Sequence, residues 1–250
     1  MITEKMNIRM DSVFSDDKKH RFLLRRSWAR DGKIATVIMI NPNKAECLIT
    51  DTTSVSVYNG IAKMEGYAAL NIVNLYSAIT PKIHFRHNRE EDLNHPDNDK
   101  NILKAVAESD VTILAWGTVA DNNNRVKQRV LDLMEKLKDY KDKLFVVGYG
   151  GKYGLHPLSP QLRCTKWKMQ QIDYDTYVKE LKEALQKSDT KEAAKPVNAK
   201  EVKGKDTPKA EPKEKETETA PHTEARNTKE TEIVSPTEAE NNKETESAKE

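Results

Sequence analysis

The sequence predicts an α/β domain, its strands mainly parallel in one sheet and its helices on both faces, followed by a tail with no core of its own. Two observations predict the domain. Short, almost wholly apolar runs, KIATVIMI (33–40), YAALNIVNLY (67–76), VTILAW (111–116) and LFVVGY (144–149), read as strands buried on both sides. Between them lie polar segments whose apolar residues recur at helical spacing, and such alternation implies parallel strands joined by crossover helices. A third observation sets off the tail. From residue 189 onward there is no Phe, Tyr or Trp, and the large aliphatics are Val197, Val202, Ile233 and Val234. So little apolar surface cannot offset the entropy of ordering a backbone. Residues 188–250, rich in Lys, Glu and Thr, are therefore expected to be disordered, with the domain over 18–187 and a flexible N-terminus over 1–17.

Each element has a local reason. RFLLRRSWA (21–29) alternates imperfectly and reads as an edge strand, with Asp31-Gly32 turning the chain into the next run. Asp51 or Thr52 is suited to cap a helix reaching about Glu65, with Val55, Tyr58, Ile61 and Ala62 on its apolar face and Gly66 as its stop. A polar stretch over 77–95 is followed by a helix over 98–108. Another helix, over 123–137, places Val126, Val130, Leu133, Met134 and Leu137 at helical spacing, and a last one lies near 174–186. Open α/β sheets bind ligands beyond the carboxyl ends of their strands. Asn41, Asn74, Trp116-Gly117 and the segment after Tyr149 all fall at such ends.

The charge divides unevenly. Residues 189–250 hold 12 Lys and Arg against 16 Asp and Glu, leaving 30 against 24 for residues 1–188, a net of +6. That balance permits a polyanion partner without requiring one. Cys47 and Cys164 form no CxxC pair, which removes a disulfide framework and a zinc motif. The N-terminal stretch lacks the apolar core of a signal peptide, and no segment approaches the ~18 apolar residues of a membrane span. A cytoplasmic protein without membrane association is expected. His84, His87 and His95 follow no recognised zinc spacing, so a solvated polar loop is expected there, with no metal and no cofactor. G-x-S-x-G, P-loop, G-x-G-x-x-G and H-E-x-x-H patterns are all missing, which weighs against hydrolases of that type, nucleoside triphosphatases and dehydrogenases.

Four motifs remain as candidates. In MINPNKAE, Asn41-Pro42-Asn43 reads either as a turn after a strand or as amide and backbone groups facing a ligand. In LNIVNLYSA, Asn71 and Asn74 interrupt a strand, where Asn is depleted. An Asn amide offers an acceptor and two donors, which suits a nucleobase edge. Asn71 is expected to be structural and Asn74 to lie nearer the mouth. Trp116-Gly117 fits core or pocket wall equally. In GLHPLSPQ, His156 is confined between Leu155 and Pro157, and the loop is stiffened again at Ser159-Pro160.

Taken in order, RFLLRRSW, IATVIMINPNKAE, TDTTS, GYAALNIVNLYSAIT, DND, VTILAWG and LHPLS resemble the bacterial and phage family known as domain of unknown function 1643. That family reads M-L-N-P-S-x-A-D, then D-P-T, G-Y…V-V-N-L-F, N-D, A-W-G and H-P-L. The likeness covers about residues 20–160, with Asn43 for the usual Ser, Glu46 for Asp and Thr52-Thr53 for Pro-Thr. MINPN, NIVNLYSA, AWGTVA and HPLSP also resemble, more distantly and in the same order, the motifs of uracil-DNA glycosylases and their mismatch-specific relatives. That likeness implies a three-layer α/β/α fold with a mainly parallel four-stranded sheet and a partner that is DNA, a nucleobase or a nucleotide. By the same likeness Asn41 would position a water, Asn74 would read the base edge and His156 would stabilise charge on the departing base. Asn41 and His156 are then the catalytic candidates, and Pro42, Asn43, Asn74, Tyr76, Trp116, Gly117 and Ser159 the substrate-binding ones, with Tyr149 a further pocket wall. An amide has no useful proton affinity near neutral pH, so Asn41 orients a water without serving as its base. Three functions are then open: an N-glycosidase acting on DNA or a modified base, a non-catalytic nucleotide- or nucleic-acid-binding accessory protein, and an interaction scaffold working through the charged tail, 189–250.

Overall fold

The computed structural model describes residues 1–43, 48–81, 83–85, 87–148 and 154–193, all within one unit, Met1–Val197. In chain order its elements are β1 (Arg9–Phe14), β2 (Arg21–Ser27), β3 (Lys33–Met39), α1 (Thr52–Ala62), β4 (Tyr67–Asn74), α2 (Glu90–Leu93) and α3 (Asn98–Glu108). Then come β5 (Val111–Leu114), α4 (Val119–Asn122), α5 (Asn124–Lys136), a 3-10 helix (Lys138–Lys143), β6 (Leu144–Val147), α6 (Pro160–Cys164), β7 (Met169–Gln171) and α7 (Tyr174–Ala193).

The apolar runs form the middle of the sheet, as their burial on both faces requires. The order is β1-β2-β4-β3-β5-β6-β7, with β4, β3, β5 and β6 mutually parallel. The sheet is mixed and seven-stranded rather than four-stranded, because antiparallel strands extend it on both sides. β2 is not an edge: it pairs with β4, Leu24 opposite Ile72, and β1 covers its outer side. β1 lies within the stretch read as a flexible N-terminus. Its sequence, RMDSVF, is half exposed throughout, so it carries little of the period-two signal that marks a strand.

Alternation along the strands sends side chains to two cores. Ala35, Val37 and Met39 join Leu70, Ile72 and Ile113 beneath Val57 and Ile61 of α1. Ile38, Val73 and Leu114 face the other way, against Ile102, Val106, Val130, Leu133 and Leu181 from α3, α5 and α7. Asn71, expected to be structural, is buried; its Nδ2 donates to Thr36 Oγ1 at 3.4 Å, and Thr36 Oγ1 donates to the Ala105 carbonyl at 3.0 Å. The helix after Asp51 is shorter than the spacing implied and turns a different face inward. Ser54, Val57 and Ile61 are buried, whereas Val55 is 40% exposed. The α7 helix runs past the expected boundary to Ala193, and residues 194–250 lie outside the described residues.

Candidate functional site

The parallel strands deliver their carboxyl ends to one side, and a cavity of about 180 Å³ opens there. Its wall is built from the exit of β3 (Met39, Ile40, Asn41, Asn43), the start of α1 (Asp51, Thr53, Ser54), Arg21 of β2, Thr80, Pro81 and His156. Asn41 is held by its neighbours: Nδ2 donates to the Thr80 carbonyl at 2.7 Å and to the Pro42 carbonyl at 3.2 Å. Both partners are acceptors, which fixes the amide nitrogen on that side and leaves Oδ1 as the atom that can accept from a ligand. Thr80 N–H donates in turn to the Pro42 carbonyl at 3.3 Å, tying the two loops together. Pro42 is buried and Asn43 exposed.

Asp51 holds the α1 N-terminus. Its Oδ1 accepts from the Thr53 and Ser54 N–H groups at 2.8 and 3.0 Å, and its Oδ2 from the Ser54 hydroxyl at 2.8 Å. Arg21 is 1% exposed. Burial pushes its guanidinium down to about 10, partly opposed by the Asp51 carboxylate, so it stays charged at neutral pH. The cavity thus holds one buried cation and one carboxylate, and no net charge between them.

His156 is placed by its surroundings. Its Nδ1 accepts from the Leu158 N–H at 3.2 Å, which puts the proton of the neutral ring on Nε2. Burial lowers its pKa below the ordinary 6.5, favouring that neutral form. The loop carrying it lies against β5. Gly154 (φ +79°) approaches so closely that a Cβ there would stand 2.3 Å from the Leu114 carbonyl oxygen. Gly117 (φ +65°) would place one 3.0 Å from His156 Cβ. Both positions combine a left-handed backbone with a contact that any side chain would break. Ser56 Oγ of α1 donates to the Pro157 carbonyl at 3.0 Å, binding the loop to the same helix that Asp51 caps.

Of the residues singled out in the sequence, Asn41, Asn43 and His156 therefore meet at one cavity, with Pro42 beneath and Gly117 behind His156. The others lie elsewhere. Asn74 is 1% exposed and pairs side by side with Met39, a wall residue, in the β3–β4 ladder, without itself lining the cavity. Tyr76 and Trp116 are fully buried in the core beneath α3 and α5, Tyr76 with its ring 5.6 Å from that of Phe85. The Asn74 amide atoms, Tyr76 hydroxyl, Trp116 Nε1 and Ser159 Oγ have no hydrogen-bond partner among the described residues. Ser159 precedes α6 and donates its N–H to the His156 carbonyl at 2.8 Å. Tyr149 lies outside the described residues. The sequence reading missed Arg21 as a site residue and saw Asp51 only as a cap. Arg21 heads a strand like any other polar residue, and only the β2–β4 pairing brings it under the β3 exit.

Fold and site define an α/β protein with a polar, electrically balanced cavity at the carboxyl ends of parallel strands. A family model described as "Protein of unknown function (DUF1643)" matches residues 21–158, and the chain belongs to that family. The matched segment begins at Arg21 and ends two residues past His156, so every charged group of the cavity lies inside it. Comparison with curated proteins and with solved structures gave no match. Among the described residues there is no cluster of His, Cys, Asp and Glu arranged to hold a metal, and no helix long and apolar enough to cross a membrane.

Proposed function

We propose that the cavity receives a nucleobase and that the protein cleaves an N-glycosidic bond to it. The observation that carries this reading is the fixed tautomer of His156, a neutral Nε2–H donor on a residue lining the same cavity as the Asn41 amide. The size favours a single heterocycle, since pockets for drug-sized ligands run to roughly 300–1,000 Å³. The charge balance favours it too: a base presents mixed donors and acceptors and no formal charge, which suits Arg21 with Asp51 better than a phosphate would.

In the step itself the bond between sugar C1′ and base nitrogen breaks, and its electron pair leaves with the base. The base oxygen gains negative charge, which His156 Nε2–H stabilises as an oxyanion donor does. A water held by Asn41 Oδ1 adds its oxygen to C1′, and its proton ends on the released base. The Asp51 carboxylate faces the positive charge that builds on the sugar. Incubation with single-stranded and duplex DNA bearing uracil or altered bases, scored for free base and abasic sites, tests the reading. Release by wild type that falls roughly 10²–10³-fold in His156→Ala is expected, by analogy with loss of one oxyanion donor. Absence of release, or equal release by the variant, refutes cleavage.

One observation favours the second reading, a binding protein without turnover. Both Asp51 oxygens are engaged, by two backbone N–H groups and a hydroxyl, so the cavity's carboxylate is poorly placed to take a proton from water. Stabilisation against heat by free bases or nucleosides, without base release, is its signature.

A further inference from the structure

We infer that the protein engages its base as part of a polynucleotide strand, and that a second, cationic pocket beside the first holds the strand's phosphates. This inference rests on the base-cavity reading and names its substrate class. The pocket, of about 200 Å³, lies between α1 and the α6–β7 segment, and Lys63, Arg163 and Lys166 converge on it. Ser56, Asn59 and Thr165 add polar groups, and no carboxylate is among its lining residues.

Three features mark it as a site rather than a solvated basic face. Several clustered cations elsewhere are paired with carboxylates: Arg89 with Glu91 and Asp92, Arg125 with Glu90, Arg129 and Lys136 with Asp99, Lys182 with Glu135. Among the described residues Lys63, Arg163 and Lys166 have no such partner. Like charges gathered without counter-charge repel one another, and an anion relieves that repulsion. Next, the pocket has a rigid floor. Trp167 is 9% exposed and packs on α1 at Gly60, where a Cβ would stand 2.6 Å from the indole ring. Last, the two pockets lie along one helix, α1. Thr53 and Ser54 line the first and Ser56 to Lys63 the second, while the loop from His156 leads directly into α6. From Ser54 to Gly60 the helix rises roughly 9 Å at ~1.5 Å per residue, a reach spanned by a nucleotide and its neighbour.

The division of charge matches the two parts of a nucleotide chain. The balanced cavity takes an uncharged ring, and the cationic one takes anions that position the strand without reading its sequence. Arg163, Lys166 and Trp167 stand beyond residue 158, where the family match ends, so this half of the surface belongs to the chain outside the matched segment.

The test is anisotropy of short fluorescent single-stranded DNA and RNA of one sequence, titrated with the full-length protein over a series of KCl concentrations. Wild type should bind with salt-dependent affinity. Lys63→Ala/Arg163→Ala/Lys166→Ala should bind at least tenfold more weakly, with a salt slope lower by about 2, from ~0.7 per phosphate contact on a single strand. The single reversal Lys166→Glu, at an exposed position, should act in the same direction, and an unchanged thermal midpoint shows that both variants fold. A wild type that does not bind, or variants with unchanged affinity and slope, overturns the inference. Displacement of the oligonucleotide by equimolar inorganic phosphate also overturns it, since the pocket is then a free-anion site. Thermal shift with nucleosides separates the two proposals. Loss of nucleoside response with intact strand binding defeats the base cavity alone, whereas the triple variant should keep the wild-type nucleoside response. Whichever of DNA and RNA binds more tightly names the natural strand.

Discussion

The two faces of the sheet are built to different standards. Under α3, α5 and α7 the core includes long aliphatic side chains, Tyr76 and Trp116, and its polar rim is knotted together. Arg129 donates to the Leu75 carbonyl and pairs with Asp99, which also takes Lys136, and Asn98 donates to the Asn74 and Leu75 carbonyls. Under α1 and α6 the buried cluster is smaller among the described residues, and both pockets open there. The chain thus separates support from access. One face fixes the end of β4 from behind, and the other, thinly covered, leaves the exit of β3 reachable.

Removing the same side chain from each face should have unequal effects. Leu133 of α5 is fully buried, and Leu162 of α6 is 3% exposed in the wall of the cationic pocket. Leu133→Ala should cost about 4 kcal/mol in urea unfolding, near the upper part of the range for closed cores, and Leu162→Ala about 2, because solvent and loop can relax into its space. Equal losses would show that the α1 face is packed as tightly as the other. Trp116→Phe refines the point. Its Nε1 is buried without a partner among the described residues, so losing that N–H offsets part of the lost packing, and the cost should stay below that of Leu133→Ala.

Asp51 tests the site face next. Asp51→Ala removes the cap, worth ~1 kcal/mol, and the carboxylate that faces buried Arg21, for a total of about 2–3 kcal/mol in thermal or urea melts. Asp51→Asn keeps a capping oxygen and removes the charge, so it should recover about half of that loss. If the two variants melt alike, the cap is irrelevant and the Arg21 field dominates. Smaller still is Gly60→Ala. Helix propensity gains about 1 kcal/mol, but the indole of Trp167 must shift, and overpacking of this kind costs roughly 1–3 kcal/mol, so a net loss near 1 kcal/mol is expected.

The framework of both faces was easier to anticipate from the sequence than the site that one of them carries. Buried strands and the α5 stripe announce themselves through periodicity, because a side chain's burial depends on its own strand or helix. Asp51 was legible as a cap for the same reason: the signal is local, an Asp before a helical run. Arg21 and the cationic trio were not legible. Their meaning depends on β2 pairing with β4 instead of lying at an edge, and on Lys63 meeting Arg163 and Lys166 across a long sequence separation. Asn74 shows the opposite failure. Its place at a strand exit was readable, but whether its amide faces ligand or core depends on tertiary packing, which pairs it with Met39 and leaves it 1% exposed and outside the cavity lining.

The smallest expected effect concerns pH and again divides along the same line. His156, at the site, and His20, which contacts Ser77 through Nδ1 at 2.9 Å, both have pKa values lowered by burial, His20 also by the nearby His95. Each is neutral when folded and takes up a proton near the ordinary 6.5 when unfolded. Below 6.5 the unfolded chain therefore binds more protons than the folded one, and stability falls as pH drops until the lowered folded values are reached. Above that window the term vanishes. His156→Gln, neutral at all pH, should flatten the fall measured by urea unfolding across it, and the double change with His20→Gln should flatten it further. Because Leu158 N–H already occupies His156 Nδ1, protonating the folded ring must break that hydrogen bond, so acid should weaken nucleoside binding over the same range. Nucleoside affinity that is flat while stability falls would assign the pH response to His20 and leave the cavity untitrated.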